Sequence, residues 1–142
     1  SYLGIQKVGI RLREENDFRI KPKEILKAIT DKTRLIIINS PQNPTGSVLT
    51  RDDLKAIADV ALKNDIIVLS DEIYSRILYE GQFHSIASLP GMAERTLVVG
   101  SMSKSHAMTG SRCGWIVGPE EMITHLINLA THTTYGVPGY IH

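Results

Sequence analysis

Three polar clusters in this sequence each follow a short apolar run, and together they offer complementary functional groups. After the run 35–39 come residues 40–46, Ser-Pro-Gln-Asn-Pro-Thr-Gly, which present the carboxamide of Asn43. After the run 66–70 come Asp71 and Tyr74, a carboxylate and a phenol. After the run 96–100 come Ser101, Ser103 and Lys104, with Gly110 and Arg112 shortly downstream. Two hydroxyls, an amine, a glycine and a guanidinium within twelve residues can make a phosphate site, because hydroxyl and guanidinium donors match phosphate oxygens. An amine beside a phosphate site is a candidate nucleophile, although a loop lysine is more often a solvated surface charge. Asp71 closes an apolar run, where an ionised carboxylate is costly unless it faces a cation or several donors. Capping the segment that follows is the competing role for it.

The elements that must position these groups are strands alternating with helices. Runs 35–39, 66–70, 96–100 and 113–117 have the aliphatic, β-branched character and length of buried parallel strands. Run 8–12 alternates Val8, Ile10 and Leu12 with Gly9 and Arg11 and reads as an edge or half-exposed strand. Residues 50–64 carry Leu54, Ile57, Ala58, Ala61 and Leu62 at helical spacing, with Thr50 as cap and Asp53 as its reciprocal partner. A second helix opens at Pro22 and runs through Ile25, Leu26 and Ile29. A third starts near Pro119, with Met122, Ile123, Leu126, Ile127 and Ala130 on one face. Such alternation predicts βαβ units and a mostly parallel sheet, in which ligands collect beyond the carboxyl ends of the strands. That is the rim where the three clusters lie.

Composition bounds the rest. The 142 residues are 42% hydrophobic and 22% charged, the profile of an ordinary soluble globular domain with one core. A net charge of +1 from interspersed acids and bases gives no field for nucleic acid or a membrane surface. Cys113 is the only cysteine, no signal-like segment opens the chain, and no apolar run approaches the ~20 residues of a bilayer span, so a cytoplasmic setting is expected. Cys113 is expected to be a small buried hydrophobe, and Trp115 a core residue. His84, His106, His125, His132 and His142 lack metal-ligand spacing, and no metal is expected. Residues 1–12 lack an initiator Met and the last helical segment reaches Ile141 and His142 without a cap, so the chain is expected to be a fragment.

Asn43-Pro44-Thr45-Gly46, Asp71-x-x-Tyr74 and Ser101-x-Ser103-Lys104 followed by Arg112 and Gly114 resemble, in order, the motifs of class I/II aminotransferases, the aspartate aminotransferase-like fold-type I pyridoxal-phosphate enzymes. Ser111 departs from the aromatic residue that relatives often carry, and Cys113 from the usual aliphatic one. The resemblance implies a three-layer α/β fold, a mostly parallel sheet flanked by helices. Residues 1–142 would be the central part of the large cofactor-binding domain, without the small domain and the N-terminal segment. It implies pyridoxal 5'-phosphate as cofactor and amino-group transfer between an amino acid and a 2-oxo acid. Lys104 would form the Schiff base and later move the proton between substrate and cofactor. Asp71 would pair with the pyridine nitrogen, and Asn43 and Tyr74 would hydrogen-bond the phenolic oxygen. Ser101, Ser103 and Arg112 would hold the phosphate. A homodimer is implied for the full-length protein, and inactivity for the fragment alone. Two alternatives share the same lysine, aspartate and phosphate cup: a carbon-sulfur β-lyase, and an aminotransferase-like effector domain of a transcription regulator.

Overall fold

A computed structural model of the chain describes residues 4–136 and residue 139; Ile141 and His142, where an uncapped chain end was expected, lie outside the described residues. Strands β1 (Leu35–Asn39), β2 (Ile67–Asp71), β3 (Thr96–Ser101) and β4 (Gly114–Val117) form one sheet in that order. Helices α1 (Pro22–Ala28), α2 (Arg51–Lys63), α3 (Met102–Ser105) and α4 (Glu120–Thr133) connect and flank them. β1, β2 and β3 run parallel, with Asn39 opposite Asp71 and Asp71 opposite Val99. Three consecutive carboxyl ends therefore stand side by side.

The core occupies one face of this sheet. Side chains alternate along a strand, so Ile36, Ile38 and Val68 turn inward while Leu35 and Ile37 stay exposed. Leu54, Ile57, Ala58 and Ala61 of α2 close over the inward face, joined by Ile25 of α1 and by Ile86 and Met92. α2 starts as its sequence requires: the Thr50 hydroxyl accepts from the Asp53 amide at 3.2 Å, and the Asp53 carboxylate accepts from the Thr50 amide at 2.9 Å. Each satisfies a donor that the first helical turn leaves unpaired. By the same alternation Asn39 and Asp71 belong to the face turned away from α2.

Three expectations are corrected. Residues 8–12 form no strand, although Ile10 packs against the core. Apolar alternation shows which residues turn inward, but a strand also needs a partner's free edge, and none of the described residues supplies one there. The run 113–117 is a strand from Gly114, but it pairs antiparallel with β3 and is exposed along its length. A parallel partner would need a crossover back to the other end of the sheet. The twelve residues between β3 and β4 instead coil at the carboxyl end as α3 and a short 3₁₀ turn, Thr109–Ser111, so β4 must run back. This keeps Lys104 and Arg112 on the rim. Trp115 is 47% exposed rather than a core residue.

Candidate active site

β1 delivers Asn43 through a loop fastened at both ends. The Asn39 carboxamide accepts from the Asn43 amide at 2.8 Å and donates to the Asp71 carbonyl at 3.2 Å, tying this loop to the end of β2. Gln42 Oε1 accepts from the Thr45 amide at 3.0 Å and from its hydroxyl at 2.6 Å. The turn closes through Gly46 at φ 75°, a left-handed conformation that glycine adopts without a Cβ clash. Asn43 is exposed and shares a cleft with Tyr74, Ile77 and Leu78.

β2 delivers Asp71, Glu72 and Tyr74. Asp71 is half-buried, and its Oδ1 accepts from the Ile73 amide at 3.1 Å. It therefore caps the following turn while keeping acceptor capacity on its second oxygen. The Lys104 ammonium lies 5.9 Å from the centroid of the Tyr74 ring, within cation–π range. The ends of β2 and β3 thus meet through a phenol and an amine.

Glu72 is buried, and burial pushes its carboxyl above the ordinary glutamate range; hydrogen bonds from Ser85 and Ser70 act against this, and the Asp71 charge adds to it. Arg76 lines the same cavity as Glu72. A carboxyl raised in the folded state binds its proton more tightly folded than unfolded. Its contribution is then fully present below the unfolded value and is lost as pH rises through the folded one. Glu72→Gln, which cannot ionise, is therefore expected to gain melting temperature relative to the native protein as pH rises from the ordinary glutamate range towards neutrality. Thermal unfolding of both proteins across pH measures this, and a difference that does not grow with pH contradicts it.

β3 delivers the hydroxyls and Lys104. Ser101 caps α3 by accepting from the Ser103 amide at 2.9 Å, and its Oγ lies 2.9 Å from Ser103 Oγ and 3.0 Å from the Cys113 carbonyl. Lys104 stands exposed on α3. Arg112 adopts a left-handed backbone, φ 54°, and donates to the Thr109 carbonyl at 3.1 Å. Ser101, Ser103 and Arg112 line one cavity with Gly100 and Trp115. A Cβ on Gly100 would lie 2.5 Å from the indole, so only glycine lets Trp115 rest there. Cys113, half-buried at the entry to β4, serves through its carbonyl, which also accepts from the Met102 amide at 3.2 Å.

The predicted residues thus fall into two neighbouring cavities, Asn43 with Tyr74 and Ser101 with Ser103 and Arg112, bridged by the contact between Lys104 and Tyr74. Asp71 lines neither of these two and joins the group through Asn39 and the sheet register. Sequence reasoning gave no role to Asn39 or Glu72 and misplaced Trp115. A polar residue closing a β-branched run and a second carboxylate beside Asp71 were the available signals. Among the described residues no group of three or more His, Cys, Asp or Glu side chains could hold a metal ion, and no helix is long and apolar enough to cross a membrane.

The family described as aminotransferase class I and II matches residues 1–140. An arginine–pyruvate transaminase of Pseudomonas aeruginosa is 46% identical over 138 residues, 97% of this chain and 35% of its own length. An aspartate aminotransferase of Bacillus subtilis is 47% identical over 123 residues, 85% of this chain and 31% of its own. The crystal structure of an aromatic aminotransferase from Pyrococcus horikoshii superposes with a TM-score of 0.84 at 46% identity, covering 86% of this chain and 33% of that one. The chain spans about a third of the length of the curated relatives it matches.

Proposed function

Because the chain belongs to the class I and II aminotransferases, we propose that the protein containing it moves an amino group between an amino acid and a 2-oxo acid, using pyridoxal 5'-phosphate carried on Lys104. Residues 1–142 are then the central part of the large cofactor-binding domain. The observation that carries this reading is the delivery of Asn43, Asp71 and Lys104 from the carboxyl ends of three adjacent parallel strands, with the Lys104 ammonium 5.9 Å from the Tyr74 ring. The relatives, named as transaminases, favour neither β-elimination nor a non-catalytic effector role.

The residues present fit the cofactor group by group. Two hydroxyls 2.9 Å apart and a guanidinium in one cavity are the donors that a phosphate dianion requires. A carboxylate suits a protonated ring nitrogen, and a carboxamide with a phenol suits the phenolic oxygen. When bound, pyridoxal phosphate supplies an electron sink for the electrons left on the substrate α-carbon. Asp71 holds positive charge on the ring; a carboxylate about 4 Å away contributes roughly 4 kcal/mol at an effective dielectric of 20. Lys104, on the adjoining rim, carries the proton to and from the substrate. Asn43 and Tyr74 orient the ring, and Ser101, Ser103 and Arg112 anchor it.

Arg112→Ala in the full-length protein is expected to weaken cofactor binding about 10- to 150-fold, the loss of one hydrogen bond to a charged group. Titration of the apoenzyme with pyridoxal phosphate reads this; unchanged affinity would move the phosphate to other donors. The reaction itself is tested by offering the full-length protein a panel of amino acids against pyruvate and 2-oxoglutarate. Transfer of the amino group to either acceptor is expected for at least one donor. Release of pyruvate and ammonia without an acceptor contradicts the proposal in favour of β-elimination.

A further inference from the structure

Glu72 is the only buried charged residue among the described residues, and no step proposed above uses it. Its Oε1 accepts from the Ser70 hydroxyl at 3.0 Å and from the Ser85 hydroxyl at 2.6 Å. Ser70 lies on β2, two positions back and on the same face. Ser85 belongs to a different segment, where it caps the 3₁₀ turn Ile86–Ser88 by accepting from the Ala87 amide at 3.3 Å. That turn is anchored by Ile86, which is fully buried in the core. The Glu72 amide donates to the Val99 carbonyl of β3 at 2.9 Å, and its carbonyl accepts from the Ser75 amide at 2.9 Å. One residue therefore joins β2, β3, the 86–88 turn and the turn that carries Tyr74. Burying a carboxylate is costly, and a hydrophobic residue would fill the space at less expense of desolvation. What a hydrophobic residue cannot do is accept from two hydroxyls of different segments at once.

We infer that Glu72 is a positioning residue, whose hydrogen bonds to Ser70 and Ser85 hold the 71–74 turn so that Asp71 and Tyr74 stand at the cofactor ring. The task of those two neighbours rests on the function proposed above; the anchoring of the turn does not. Both hydroxyls meet the same oxygen, so the oxygen of a glutamine can accept from both. Alanine accepts from neither, stranding the buried Ser70 hydroxyl and releasing the half-buried Ser85 hydroxyl.

Amide hydrogen exchange on the full-length apoenzyme, followed by absorbance titration of the holoenzyme, tests this. Glu72→Ala is expected to speed exchange at residues 73–77 about tenfold or more, with α2 unchanged, and to displace the pH midpoint of the absorbance of the Lys104-linked cofactor. Glu72→Gln is expected to exchange there no faster than the native protein. If Glu72→Ala fails to fold, Ser85→Ala, which keeps the carboxylate, is expected to speed exchange at 73–77 as well as at 87–89. Acceleration spread evenly over α2, acceleration by Ser85→Ala confined to 87–89, loss in Glu72→Gln as large as in Glu72→Ala, or an unmoved absorbance midpoint would each overturn the inference. Lys104→Ala serves as the separate control: visible cofactor absorbance persisting in that variant removes the proposed function while leaving the exchange results to stand on their own.

Discussion

Lys104→Ala in the full-length protein is expected to abolish the visible absorbance of the lysine-linked cofactor and to lower transamination by about two to four orders of magnitude or more. Two contributions are lost together. General acid–base transfer by a positioned side chain is worth about 10²- to 10⁴-fold, and covalent attachment, which lets an incoming amine exchange rather than condense anew, adds to it. The fold should not suffer, because Lys104 is exposed on α3 and the described contact of its side chain is the 5.9 Å approach to the Tyr74 ring. Noncovalent cofactor binding should survive, since Ser101, Ser103 and Arg112 line the adjoining cavity without help from the lysine. Absorbance, phosphate-cofactor content and turnover of the purified variant measure all three parts. Near-native turnover would show that another group performs the proton transfer.

The second large effect is expected from Asp71→Asn, which separates charge from position. Asp71 Oδ1 accepts from the Ile73 amide, and the asparagine oxygen can keep that bond, so the turn that carries Tyr74 should stay in place. What disappears is the negative charge that the proposed function sets against the ring nitrogen. Three to four kcal/mol of lost transition-state stabilisation corresponds to roughly a 200- to 1000-fold fall in turnover, because each 1.36 kcal/mol is a factor of ten. Binding should fall much less, since the interaction matters most where carbanion charge develops. A cofactor methylated on the ring nitrogen, positive without any partner, should restore part of the rate. An Asn variant that works at near-native speed would leave Asp71 with the capping role alone.

Much of this arrangement was legible in the sequence because local chemistry determined it. The capping box of Thr50 and Asp53 needs only four residues and appears as expected. The runs 35–39, 66–70 and 96–100 are aliphatic enough to be interior strands, and they pair within one residue of the expected bounds. What escaped depends on partners distant in sequence. Residues 8–12 alternate like a strand, but strand formation requires another chain edge that no local pattern specifies. The direction of β4 follows from how the 102–113 connection folds, not from the composition of its own residues. Asn39 and Glu72 act through bonds to Asp71 and Ser85, 32 and 13 positions away; their immediate neighbours mark them as polar groups at a strand end but do not specify those partners. Trp115 was expected inside because tryptophan is large and apolar; its place over Gly100 is fixed by strand register, which the sequence does not display.

The central claim is that Lys104 carries the cofactor. Reducing the full-length holoenzyme with borohydride, digesting it and sequencing the modified peptide by mass spectrometry tests this without relying on turnover. The phosphopyridoxyl group is expected on the peptide containing Ser101, Ser103 and Lys104, with Lys104 as the modified residue. Its presence on Lys55, Lys63 or any other lysine, or its absence from every lysine of a protein that still transaminates, would contradict the account.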